Sequence, residues 1–182
     1  MKVGLITTTV NVPTVLQLYR KLDLDVCFFV VLECGKHDSI PEFVESIPNA
    51  AWCVGDNYAC SDLIGWNTIA RRNIALLEAL KWGAEIIISI DDDNMPVGPY
   101  FKFFDWAFRP FNGIKARVPW FDPASLSFPR RTGTATVVQR GFPQHASRYE
   151  TEYVPVTDVK IGVAQGMILG DPDTSAVDRI SQ

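Results

Sequence analysis

The run Ile86-Ile87-Ile88-Ser89-Ile90 ends directly in three acids, Asp91-Asp92-Asp93. Consecutive β-branched isoleucines read as a strand buried on both faces. Three adjacent carboxylates repel one another, and at the end of a buried strand each would be desolvated. Such a cluster usually persists because a cation neutralises it. Oxygen ligands with no His or Cys close by suit Mg²⁺ or Mn²⁺ rather than Zn²⁺. In α/β sheets, ligands gather outside the carboxyl ends of the strands. The stretch therefore predicts a site for a metal-bound, phosphate-bearing ligand, with Asp91, Asp92 and Asp93 as its candidate residues. A strand followed by an acidic, solvated turn is the plainer reading; the isoleucine run directly before the acids favours the metal.

With 182 residues, 47% hydrophobic and 21% charged, the chain can bury a real core, which excludes a disordered segment. A net charge of −4 provides no general basic field for nucleic acid, although a local patch stays open. The apolar start Val3 to Ile6 turns polar at Thr7, too soon for a signal peptide. No stretch approaches the ~20 apolar residues that span a bilayer. A soluble, cytoplasmic protein is expected. Cys27, Cys34, Cys53 and Cys60 form no Cys-x-x-Cys pair, which argues against zinc; a disulfide framework is not expected in an intracellular chain of this size. Cys27, inside an apolar run, is expected to be a small core residue.

Around the acidic stretch, the chain alternates strands and helices. Lys2 to Ile6 reads as a strand, followed by Thr7-Thr8-Thr9 and a helix starting near Pro13. A hydroxyl-rich strand-to-helix loop can hold a nucleotide, although helix capping by one of the threonines explains it equally simply. Val26 to Leu32 reads as a central parallel strand ending at Glu33, Ile40 to Val44 as a short helix, and Ala51 to Val54 as a third strand. Asn67 to Trp82 reads as the clearest helix, with Ile69, Asn73, Leu76, Leu77 and Leu80 at helical spacing and Gly83 as its stop. Adjacent residues on a helix point about 100° apart, so only one of Arg71 and Arg72 should face the site. Arg72, one turn before Leu76, is the choice, with Arg71 a surface charge. The order strand, helix, strand, helix, strand, helix, strand is a doubly wound α/β pattern.

Past Asn94 the pattern breaks. Tyr100 to Phe111 is aromatic and reads as core. Gly113 to Trp120 reads as a strand. Arg130, Arg131 and Arg140 sit in Pro- and Gly-rich loops that could meet an anionic substrate or simply be solvated. Gly170 to Asp173 reads as a turn before a helix capped by Asp173 or Thr174.

Taken together, Ala70-Arg71-Arg72-Asn73-Ile74-Ala75, Ala79 to Ala84 and Ile88-Ser89-Ile90-Asp91-Asp92-Asp93-Asn94 resemble the STELLO-type glycosyltransferase-like domain. The acidic motif, Arg140-Gly141-Phe142-Pro143 and Asp171-Pro172-Asp173-Thr174 also resemble the reversibly glycosylated polypeptides, the UDP-arabinopyranose mutases. The resemblance implies a GT-A (Rossmann-like) fold with a mainly parallel sheet flanked by helices. It implies one domain over 1–182, with a nucleotide-binding half (1–95) and an acceptor-side half (96–182). It further implies a nucleoside diphosphate sugar, UDP-linked in these families, held through Mn²⁺ or Mg²⁺. Asp91 and Asp93 would form the metal site, Asp93 taking the ion directly and Asp91 reaching ribose or metal-bound water, and Asp91 and Asp92 would contact the nucleotide. Thr7, Thr8 and Thr9 would line the nucleotide pocket, with Glu33 near base or ribose and Arg72 on the diphosphate. These families continue past the position of Asp178 with a motif that commonly supplies a third metal ligand. A fragment or a reduced enzyme is therefore an open alternative, and His145 could substitute as the ligand or be ordinary surface.

Departure of a diphosphate needs its charge neutralised, and an inverting transfer needs a general base. Asp171 and Asp173, in their Gly/Pro-constrained turn, are the candidate bases; a retaining transfer needs none. The expected function is metal-dependent sugar transfer to a glycan or other hydroxyl acceptor. A nucleotide-sugar mutase and a non-catalytic nucleotide-sugar-binding module share the same donor site. A haloacid-dehalogenase-type phosphohydrolase is a remoter alternative, because its acidic motif should follow the first strand.

Overall fold

The computed structural model describes residues 1–22, 25–33, 39–96, 111–116 and 153–159. The chain divides into two compact units, Met1–Phe101 and Lys102–Gln182. In the first, β1 (Val3–Thr9), β2 (Cys27–Leu32), β3 (Ala50–Cys53) and β4 (Ile86–Ser89) form one parallel sheet in the order β3-β2-β1-β4. Helices flank it, so this unit is α/β. The sheet grows from β1 to β2 to β3 in one direction, and then β4 adds on the other side of β1. This reversal puts a crevice at the carboxyl ends of β1 and β4, where doubly wound sheets take their ligands.

β1 is central, and all seven of its residues are buried. Alternation places Gly4, Ile6 and Thr8 on one face and Leu5, Thr7 and Thr9 on the other. On the first face, Ile6, Phe29 and Val31 pack against Ile74, Ala75 and Ala79 of α4 (Arg72–Trp82). A Cβ built on Gly4 would sit 3.2 Å from the Ala79 Cβ and 3.4 Å from the Ala84 Cβ. The helix can lie this close because all three residues are small. On the other face, α1 (Val15–Leu22) turns Val15, Leu16, Tyr19 and Arg20 inward, and the Arg20 guanidinium lies 4.1 Å from the Phe28 ring. α2 (Ser39–Glu45) packs against β3.

Several sequence expectations need correction. β4 is half-buried rather than enclosed: Ile86, Ile87 and Ile88 are of intermediate exposure and Ser89 is exposed. Among the described residues it pairs with β1 alone, so one edge lacks a ladder partner. The long helix begins later than the spacing suggests. Asn67 is left-handed (φ 53°), Thr68 caps a 3-10 turn at Ile69–Arg71, and α4 follows. Its buried face is Ile74, Ala75 and Ala79, while Ile69, Leu77 and Leu80 are exposed. The helix is apolar nearly all round, so periodicity could not single out the inward face. The small residues face the sheet because Gly4 lets them approach.

Arg71 is not a surface charge. It is fully buried, donating from Nη1 to Ser61 Oγ (3.2 Å) and the Gly65 carbonyl (3.1 Å) and from Nη2 to the Val54 carbonyl, with its guanidinium 3.9 Å from the Trp66 ring. The 3-10 turn directs it inward, where it ties α3 (Ser61–Ile64) and the flanking loops to the start of α4. Gly55 makes room for it. This residue has φ +78°, and an added Cβ would meet Ile74 at 2.8 Å and Arg71 Nη2 at 3.3 Å. Cys27 is only partly buried. Burial pushes the Cys53 thiol up to about 11, with Glu78 adding and Arg71 opposing. At neutral pH it is therefore a thiol and not a nucleophilic thiolate.

In the second unit, β5 (Phe111–Ala116) and β6 (Tyr153–Val159) pair antiparallel from Phe111↔Val159 to Ala116↔Tyr153, with an irregularity between Phe111 and Gly113. The sequence reading missed β6, since Pro155 lies within it and a proline demotes a strand prediction. Of the aromatic run Tyr100 to Phe111, all but Phe111 lie outside the described residues, as do Arg130, Arg131, Arg140 and His145. No described helix is long and apolar enough to cross a membrane.

Gly55→Ala should lower stability by about 3 kcal/mol, combining a left-handed backbone with an overpacked Ile74. In urea unfolding, the midpoint should fall with an unchanged slope. An unchanged midpoint would show that the Gly55 to Arg71 packing is not tight.

Candidate functional site

The crevice at the sheet reversal is an open cleft of about 350 Å³ lined by Thr8, Thr9, Val10, Glu33, Asn67, Thr68, Ile69, Arg72, Asp91, Asp92 and Asp93. Four parts of the chain build it. The end of β1 brings the threonines and the end of β2 brings Glu33. The acids follow β4, and the start of α4 brings Thr68 and Arg72.

The acids sit on a closed turn. The Asn94 amide donates to the Asp91 carbonyl (3.2 Å), the Asp91 amide donates to Asn94 Oδ1 (3.1 Å), and the Ile90 amide donates to the Ile6 carbonyl (3.2 Å). Each carboxylate has different company. Asp91 accepts from Arg72 Nη2, and the two form an ion pair. Asp92 accepts from the Thr9 hydroxyl at 2.5 Å. The same hydroxyl lies 2.5 Å from the Asn11 carbonyl, so the two acceptors compete for one proton. Asp93 is exposed and, among the described residues, has only a 3.4 Å contact from Asn94 Nδ2. The strong desolvation expected of the triplet is absent, since Asp91 and Asp92 are of intermediate exposure.

Glu33 is 5% exposed, and both of its oxygens are engaged. One accepts from the Thr8 hydroxyl (2.7 Å) and the other from the Thr68 amide (2.9 Å). Its own amide donates to the Thr9 carbonyl (2.9 Å). Glu33 thus acts as a strut joining β1, β2 and the start of α4. Nothing in the sequence distinguished that role from a ligand contact, because the Thr68 partner is 35 residues away. Thr7 does not line the cleft. It is fully buried, one pleat below the strand end, and its hydroxyl reaches only the Thr8 carbonyl (3.4 Å). Asp171 and Asp173 lie outside the described residues.

Among the described residues, no three His, Cys, Asp or Glu side chains converge to enclose a metal ion. Mg²⁺ and Mn²⁺ do not require such a cage. Mg²⁺ typically uses one or two carboxylates and completes its oxygen coordination with waters and ligand phosphates. The all-oxygen donors Asp91 and Asp93 beside an arginine fit that pattern. No protein-family model matches the chain, and no curated protein matches it.

Glu33→Ala removes two acceptors at once. Stability should fall by roughly 3 kcal/mol, and hydrogen exchange at the Thr68 amide should accelerate at least tenfold. Unchanged exchange at Thr68 would mean that the strut does not hold the start of the helix.

Proposed function

We propose that the cleft binds a nucleoside diphosphate sugar through Mn²⁺ or Mg²⁺ and that the protein is a GT-A-type enzyme transferring the sugar to an acceptor hydroxyl. The observation that carries this reading is the convergence of Arg72 and the three acids at the sheet reversal. A guanidinium beside carboxylates, on the ligand-binding edge of a doubly wound sheet, offers grips for a diphosphate and for a cation together. The resemblance of Arg71 to Asn94 to nucleotide-sugar enzymes supports the same reading.

In this proposal Asp93 and Asp91 hold the ion, which when bound neutralises the diphosphate as a Lewis acid. Arg72 pairs with phosphate oxygens, adding charge stabilisation to the leaving group. Thr9 holds Asp92 in place, and Glu33 sets the start of α4 and with it the position of Arg72. If the transfer inverts, Asp171 or Asp173 takes the acceptor proton; a retaining transfer leaves them without that role.

A thermal-shift panel of UDP, GDP and their sugars, with and without Mn²⁺, tests the reading. A diphosphate nucleotide should stabilise the protein only with metal, by about 2.7 kcal/mol at a hundredfold excess over Kd. Asp93→Ala should abolish that shift. Stabilisation without metal, or an unaffected variant, would count against the site. Metal-dependent release of free nucleotide from a sugar nucleotide separates an enzyme from a module that only binds.

A further inference from the structure

The proposed site makes two demands that conflict in the structure as it stands. A cation needs Asp91, and a diphosphate needs Arg72, yet these two residues are paired with each other. We infer that Arg72 and the divalent cation are alternative partners of Asp91, so that cation and diphosphate bind as one unit and each alone binds poorly. The inference rests on the nucleotide-diphosphate reading above.

The pairing looks made for exchange. Arg72 contacts one oxygen of Asp91 through one nitrogen, not in the two-pronged manner that a guanidinium can achieve. Among the described residues its Nη1 has only a 3.4 Å contact to Ser89 Oγ, and its enclosed Nε has no partner. Arg72 therefore gives up a single strong contact when it turns from Asp91 to a diphosphate, and its remaining donors can then join that contact. The backbone under Asp91 is pinned on both sides by Asn94, so a change of partner falls to the side chains. The Arg72 side chain is 19% exposed and that of Asp91 45%, so water already reaches the pair and holds its strength down.

Charge bookkeeping explains the coupling. Binding a cation alone breaks the pair and strands Arg72. Binding a diphosphate alone breaks it as well and brings phosphate towards three carboxylates. When both bind, the pair is broken once, and each member gains an opposite charge. The cost of opening is shared, so each ligand raises the affinity of the other by the same factor.

The test uses MnCl₂ alone, monitored by the electron paramagnetic resonance signal of free Mn²⁺, and Mn²⁺ with inorganic pyrophosphate, monitored by calorimetry. Wild type is compared with Arg72→Met and Arg72→Gln, each checked for a cooperative melt. Both variants should bind Mn²⁺ alone about fivefold more tightly, consistent with loss of a partly exposed pair. Both should bind Mn²⁺-pyrophosphate at least tenfold more weakly. In an Asp91→Asn background, Arg72→Met should no longer tighten Mn²⁺. Unchanged or weaker Mn²⁺ binding in both variants overturns the inference, as does a gain that persists without Asp91, since that would be a general charge effect. If wild type binds pyrophosphate with Mn²⁺ but the variants show no Mn²⁺ gain, only the exchange fails. If wild type binds neither, the nucleotide-diphosphate reading fails with it.

Discussion

Everything in the first unit depends on β1 being hydrogen-bonded along both edges. Its register with β2 runs to Thr9↔Leu32, whereas its register with β4 stops at Ile6↔Ser89. β1 therefore outlasts β4, and the acids that follow β4 turn beside the last residues of β1. That offset puts the Thr9 hydroxyl against Asp92. The same central strand orders its neighbours through Glu33, whose carboxylate joins the ends of two strands to the start of a helix. Within these elements, the site consists of strand ends held at fixed heights rather than of a self-standing loop.

The cleft combines opposite charges at close range without burying them deeply. Arg72 neutralises one acid, Thr9 occupies a second, and the third faces solvent. This gradation follows from position. Asp91 is nearest the sheet and within reach of α4, while Asp93 is at the outer side of the turn. A group of three acids on a fully enclosed strand end would be far costlier without a permanent counterion. Partial exposure lets the carboxylates persist in their present company and still accept another partner.

The sheet was legible because its strands are short, strongly apolar and separated by recognisable helix and turn signals. The acidic turn was legible because three acids directly after isoleucines are an unusual sequence. The roles of Arg71 and Glu33 were hidden for a common reason, since each depends on partners distant in sequence or on local backbone geometry. Arg71 turns inward because the helix begins as a 3-10 turn, which no residue in that segment announces. The inward face of α4 was obscured by leucines on several sides, and the deciding feature, Gly4, lies on another element. Pro155 hid β6 because a proline within a strand is uncommon away from edges and bulges.

The near-contact of Gly4 with Ala79 has a consequence for the opposite end of the helix. At 1.5 Å per residue, Ala79 lies roughly 10 Å along the axis from Arg72. The helix rests on the sheet at a fulcrum made of glycine and alanine, and the arginine is carried at the end of the arm. A bulkier side chain at that bearing point would tilt the arm and lift the guanidinium away from the aspartates, without touching either. The spacing of the charges is thus set partly by side-chain volume in the hydrophobic interior, a dimension that could drift by single methyl groups while every polar residue of the cleft stayed the same.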